Sequence, residues 1–136
     1  ELKEISELEY DSLRISLCIP TTGHELIPEK SFLLDYGFEE LKGVDFDKGC
    51  YVGQEVIARM KHRGLVKRRL FLIETSVELN AANQTEIMSD EIIAGEVLSV
   101  SENRATALIR LDLVAKGGLT IQGTPITPKL PDWAKS

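Results

Sequence analysis

The residues best suited to chemistry lie together in one run, Lys48-Gly49-Cys50-Tyr51-Val52-Gly53-Gln54-Glu55. Gly49 and Gly53 let the backbone turn tightly on either side of Cys50, and the residues from Gln54 to Lys61 are good or tolerable helix formers until Gly64 stops them. The spacing therefore puts a thiol beside the N-terminal end of a short helix. Orphan N–H groups and the helix dipole favour a thiolate there, and Lys48 adds a positive charge, so Cys50 is a candidate reactive or ligand cysteine. The competing reading is a small buried apolar residue, since free cysteine packs well in interiors. Two glycines bracketing a Cys-Tyr pair ahead of an amphipathic helix favour a loop shaped for a ligand or for close backbone approach.

Other polar residues carry weaker signals. Arg14 falls among apolar residues of a helical pattern, where a guanidinium either snorkels to the surface or pairs with an anion. Glu25 follows Gly23 on a loop; its carboxylate matches two neighbouring N–H donors of a ring, or is an ordinary solvated acid. His24 and His62 have no Asp, Cys or His at ligand spacing, so both read as surface histidines and no metal site is expected. Arg59, Lys61, Arg63, Lys67, Arg68 and Arg69 form the one dense basic cluster. Such a run is either a solvated face or a holder of anionic groups, whether of a ligand tail or of an acidic client surface.

The elements that must position these residues follow from periodicity and caps. Ser6 and Glu9 fit a capping box, and Ile5, Leu8, Ser12, Ile15 and Ile19 fall at helical spacing, so a helix is expected from about Glu7 to Cys18, ended by Pro20. Residues 24–47 read as loop with brief helical turns. After Gly64 the period changes: Leu65 to Thr75, Glu91 to Val100, Arg104 to Leu111 and Leu119 to Ile126 are short runs rich in Val, Ile, Leu and Thr. They are separated by Asn80-Ala81-Ala82-Asn83, by Ser101-Glu102-Asn103, which reads as a hairpin turn, and by Lys116-Gly117-Gly118. A small antiparallel barrel or sandwich is the expected outcome. Pro125, Pro128 and Pro131 should deny the chain further ladder bonds and leave 127–136 as an extended tail with Trp133 as its anchor.

Bulk numbers narrow the function classes. The chain has 136 residues, of which 43% are hydrophobic, enough for one real core. Its net charge of −6 argues against non-specific nucleic-acid binding, and no aromatic residues interleave with the basic cluster. Two cysteines, Cys18 and Cys50, are too few for a disulfide framework and fit a reducing cytosol or organelle matrix. No apolar stretch approaches the roughly 20 residues of a membrane helix, so no membrane partner is expected.

The cysteine octet, followed by Val56-Ile57-Ala58-Arg59 and Lys61-His62-Arg63-Gly64, resembles the signature of the YgfZ branch of the YgfZ/GcvT folate-binding family. Ser12-Leu13-Arg14-Ile15, Ile19-Pro20 and Gly23 to Glu29 resemble that family's arginine helix and following loop. Gly95-Glu96-Val97, Ala105 to Ile109 and Gly118 to Pro125 resemble its closing barrel. The likeness covers nearly the whole chain and implies the C-terminal portion of a larger protein. It implies an α+β fold in which 1–64 ends a folate-binding domain and carries the cysteine loop, and 65–136 forms a small antiparallel β-barrel. It also implies tetrahydrofolate or a derivative as cofactor, contacted by Arg14, with Cys50 as the functional thiol and Lys48, Gly49, Tyr51, Gly53, Gln54 and Glu55 shaping its loop; a pterin ring is then the ring whose N–H donors the Glu25 carboxylate could match. Where relatives commonly carry an acidic residue, alanine and glycine before Ile-Pro, this chain has Ser16-Leu17-Cys18. The implied role is an accessory factor supporting iron-sulfur cluster assembly, maintenance or repair, partnered by client or assembly proteins in a cytoplasm or mitochondrial matrix. The alternative is a folate-dependent aminomethyltransferase of the same architecture, and the octet belongs to the accessory branch.

Overall fold

The computed structural model of the protein describes residues 2–79 and 85–135, so the Asn80-Ala81-Ala82-Asn83 separator lies outside the described residues. Helix α1 runs Glu7–Ser16. The Ser6 hydroxyl accepts the Glu9 N–H at 3.2 Å while the Glu9 carboxylate accepts the Ser6 N–H at 2.8 Å, the reciprocal cap that the spacing predicts. The helix stops short of Cys18, which turns left-handed at φ 56°. Turns and one short 3-10 helix, Leu33–Tyr36, then carry the chain to the cysteine loop and helix α2, Gln54–His62.

Six strands follow: β1 (Arg68–Glu74), β2 (Glu86–Ser89), β3 (Ile92–Ser101), β4 (Arg104–Arg110), β5 (Leu119–Ile121) and β6 (Thr124–Pro125), with helix α3 (Leu111–Lys116) between β4 and β5. They form one antiparallel sheet in the order β1-β4-β3-β2-β5-β6. The anticipated hairpin at Ser101-Glu102-Asn103 joins β3 to β4, with Glu102 at φ 53°. Register shifts between Val97 and Ser99 and between Ile87 and Met88 insert bulges that bend the sheet. Gly95 sits where strands crowd: a Cβ there would lie 2.3 Å from the Leu108 carbonyl oxygen.

Two expectations are corrected. The proline-rich tail does pair: Lys129 exchanges both backbone bonds with Leu72 of β1, at 2.9 and 2.8 Å, and so joins the end that follows β6 to the opposite edge of the sheet. Proline removes only its own N–H, and Lys129, between Pro128 and Leu130, keeps donor and acceptor free. Pro125 itself belongs to edge strand β6, where a missing donor is tolerated. Strand β2 and helix α3 also go unnamed in the sequence reading, because each is only a few residues long.

Inside the curl, Phe71, Ile73, Ile87, Ala107, Ile109 and Ile121 are among the side chains of the main core. The outer face of β1 and β4 carries a second cluster, where Leu70 and Leu108 pack against Cys18 and Tyr36 of the N-terminal segment. Burying apolar side chains on both faces fixes the N-terminal segment to the barrel. Trp133 anchors the tail as expected, donating its indole N–H to the Leu17 carbonyl at 3.0 Å and lying against Gly37.

Candidate functional site

The cysteine loop is an open structure. The Asp45 carboxylate accepts the Asp47 N–H at 2.8 Å in a tight turn, and the Gln54 N–H reaches the Tyr51 carbonyl at 3.2 Å just before α2. Gly53 occupies the N-cap at φ 89°, a conformation open to glycine and strained for other residues. Cys50 is exposed three positions ahead of that cap. Exposure removes the reading of Cys50 as a packed interior residue. The Lys48 ammonium lies 5.2 Å from the centroid of the Tyr51 ring, and the Tyr51 hydroxyl is buried without a hydrogen-bond partner among the described residues. Helix α2 buries none of its residues fully, presents Glu55 in its first turn and gathers Arg59, Lys61 and His62 in its last, in line with the dipole. Lys61 ties it to the body through an ion pair with Glu39 and a contact 5.2 Å from the Phe46 ring centroid.

Arg14 and Glu25 meet in a different place and in a different way. The Arg14 side chain is 4% exposed and that of Glu25 0%, and Nη1 donates to Oε1 at 2.9 Å. Nη1 also donates to the Ile19 carbonyl at 2.9 Å, Nε to Asp11 Oδ1 at 3.1 Å, and Nη2 to the Ser99 hydroxyl at 3.4 Å. Glu25 Oε1 accepts the Thr106 hydroxyl at 2.7 Å, and Oε2 accepts the Thr21 N–H at 3.1 Å. Burial by itself pushes the Glu25 carboxyl up, but the bonds from Ser99, Arg14, Thr106 and the Thr21 amide outweigh it and hold the group below its ordinary range. Cys18 lies beside this pair with no exposed surface. Its burial, reinforced by the Glu25 charge and opposed by Arg14, pushes the thiol up to about 12.

The expectation for Glu25 is therefore revised. Both of its oxygens are engaged and neither is offered to a ligand ring; its partner is Arg14, and the anion that Arg14 needed is internal. Arg14 still lines a cleft of about 810 Å³ between α1 and the β3–β4 hairpin, together with Asp11, Ser12, His24, Ser101 and Arg104. Cys50 does not line that cleft. His24 and His62 are both exposed and lie on separate segments. Among the described residues no three His, Cys, Asp or Glu side chains are grouped to hold a metal, and no helix is long and apolar enough to cross a membrane. The partners that sequence reasoning missed are Thr106 and Ser99. A hydroxyl on the outward face of each of two strands was their only signal, and it is indistinguishable from ordinary solvated polarity.

A small antiparallel barrel, clasped from outside by an N-terminal segment that displays a glycine-bracketed cysteine, defines the class. The model of the CAF17 C-terminal beta-barrel domain matches residues 67–136. The mouse iron-sulfur cluster assembly factor IBA57, mitochondrial, is 30% identical over 135 residues, covering 92% of this chain and 37% of that protein. The Vibrio vulnificus tRNA-modifying protein YgfZ is 35% identical over 111 residues, covering 75% of this chain and 33% of its own length. A Neurospora crassa IBA57 homolog reaches 42% over 64 residues. The chain belongs to this YgfZ/IBA57 family and spans at most little more than a third of the length of the relatives it matches.

Proposed function

We propose that this chain is the thiol-bearing C-terminal part of a tetrahydrofolate-binding accessory factor that supports assembly, maintenance or repair of iron-sulfur clusters in client enzymes. The observation that carries the reading is Cys50: the residue of the family-like octet that can ligate iron is exposed on a loop that little else constrains. The names of the mouse and Vibrio relatives support it, one being a cluster assembly factor and the other a tRNA-modifying protein. An open thiol can bind iron of a transferring cluster and release it, since among the described residues no group of three His, Cys, Asp or Glu side chains is placed to hold the metal permanently. Clusters that serve tRNA-modifying enzymes would then be one class of client. A bacterial form would work in the cytoplasm and a eukaryotic one in the mitochondrial matrix.

For the folate, Arg14 fits as part of a cleft wall and Glu25 does not fit as a direct contact, so any pterin recognition by Glu25 is indirect, through the orientation it gives Arg14. The test replaces Cys50 by Ser in the full-length protein, in cells lacking the native copy, and assays cluster-dependent enzymes. Loss of their activity is the expected result. Full rescue by Cys50→Ser would remove the thiol from the mechanism, whereas failure of the full-length protein to bind tetrahydrofolate in a titration would remove the folate alone.

A further inference from the structure

A set of cations that the proposed function leaves without a role gathers where α2 meets the rim of the barrel. Arg68 of β1 stands directly opposite Arg110 of β4, a like-charge pairing that costs stability. Asp35 lies 3.3 Å from Arg68 and Asp112 lies 2.7 Å from Arg110. Arg59 and Lys67 add two exposed cations with no ion-pair partner among the described residues. Asp35 and Asp112 thus form ion pairs with two of these four cations and leave Arg59 and Lys67 without one among the described residues, in a protein whose net charge is −6.

The same place is apolar. A cleft of about 460 Å³ between α2 and the Leu33–Tyr36 turn is lined by Arg59, Lys67 and Arg68 together with Phe32, Val56 and Leu65, which are 46%, 53% and 42% exposed. It adjoins a second cleft of about 690 Å³ that shares Lys67 and Arg68 and adds Arg110. Glu86 and Glu96 line a neighbouring cleft that shares Arg68 and Arg110, so the positive surface has a negative border. Three exposed apolar side chains between cations suit a ligand that alternates carboxylates with aliphatic or aromatic groups. One small phenyl ring offers little of the stacking surface that single-stranded nucleic acid uses.

We propose that this paired cleft docks an acidic segment of a partner protein that carries apolar side chains among its carboxylates. Such a partner would lie along Val56 and Arg59 of α2, the helix that leads out of the cysteine loop, and in its link to Cys50 the inference rests on the function proposed above. Docking itself is measured without the thiol.

The probe is a fluorescein-labelled peptide, Asp-Glu-Leu-Asp-Phe-Glu-Asp, titrated with full-length protein and followed by anisotropy. The parent protein and Cys50→Ser bind it equally, while Arg59→Glu with Lys67→Glu weakens binding roughly tenfold or more. Val56→Asp also weakens it, as does replacing the peptide's Leu and Phe by Ser. No binding by the parent, equal binding by the charge-reversed protein, or equal binding of the Ser peptide would overturn the proposal. So would displacement of the peptide by an oligouridylate at lower concentration than by unlabelled peptide. Lost docking with intact client activity sinks the docking site alone; retained docking with rescue by Cys50→Ser sinks the thiol reading alone.

Discussion

The chain's two cysteines report on two differently built regions. Cys18 follows the C-cap of α1 and has no exposed surface, flanked by a charged pair whose partners come from α1, the following loop, β3 and β4. Cys50 is exposed on a loop where short-range turns and glycines set the path and the following helix has no fully buried residue. The first region joins segments far apart in sequence and depends on every member being present. The second touches the body at few points, chiefly through Lys61 with Glu39 and Phe46. Burial and exposure are thus divided between the two sulfurs, and perturbations should separate in the same way.

The largest effect belongs to the buried pair. Glu25→Ala removes the buried partner of Arg14 and leaves its charge only the half-exposed Asp11 carboxylate, a loss that costs about 3–5 kcal/mol. Urea denaturation should show this loss directly, and Arg14→Met combined with Glu25→Leu should recover much of it, since no buried charge then remains. A Glu25→Ala protein as stable as the parent would mean that the N-terminal segment is not clasped through this pair.

The pH dependence of stability sharpens the contrast. The Cys18 thiol is raised from 9.0 to about 12, so the neutral form is favoured in the folded state. Its contribution is complete below the unfolded value and is lost as pH rises through that window, with a slope approaching about 1.4 kcal/mol per pH unit. Lysines and tyrosines titrate there too, so the quantity to measure is the difference in urea midpoint between the parent and Cys18→Ala from pH 9.0 to 12. The parent should fall more steeply. Glu25 gives the opposite sign: its depressed carboxyl contributes above the unfolded value, and the contribution is lost as pH falls through the lower folded value.

What was legible in the sequence follows the same division. The capping box at Ser6 and Glu9, the helix after Gly53 and the hairpin at Glu102 are local devices, written within a few residues, and each lies where the spacing puts it. The Arg14 partner was not legible. It lies 11 residues away, and the hydroxyls that complete it come from 81 and 85 residues away, a distance over which no pattern of spacing constrains a choice. Lys129 closing onto Leu72 was hidden for a related reason: the prolines around it are a strong local signal against strand pairing, and only the three-dimensional return of the chain makes the pairing available.

The smallest expected effect is the one that isolates the open loop. Cys50→Ser should shift unfolding free energy by no more than about 0.5 kcal/mol, because an exposed side chain away from caps and buried networks contributes little to the folded state. In the parent, a maleimide applied to native protein should therefore label one cysteine rapidly, and peptide mapping should place it at Cys50. Cys18 should react only as fast as the Arg14–Glu25 clasp opens, so its labelling should accelerate with urea while that of Cys50 stays nearly constant. Prompt labelling of Cys18 without denaturant would show that the clasp opens independently of the barrel. A large stability loss in Cys50→Ser would show that the loop is held by packing after all, and the assignment of its sulfur to chemistry would lose its physical basis.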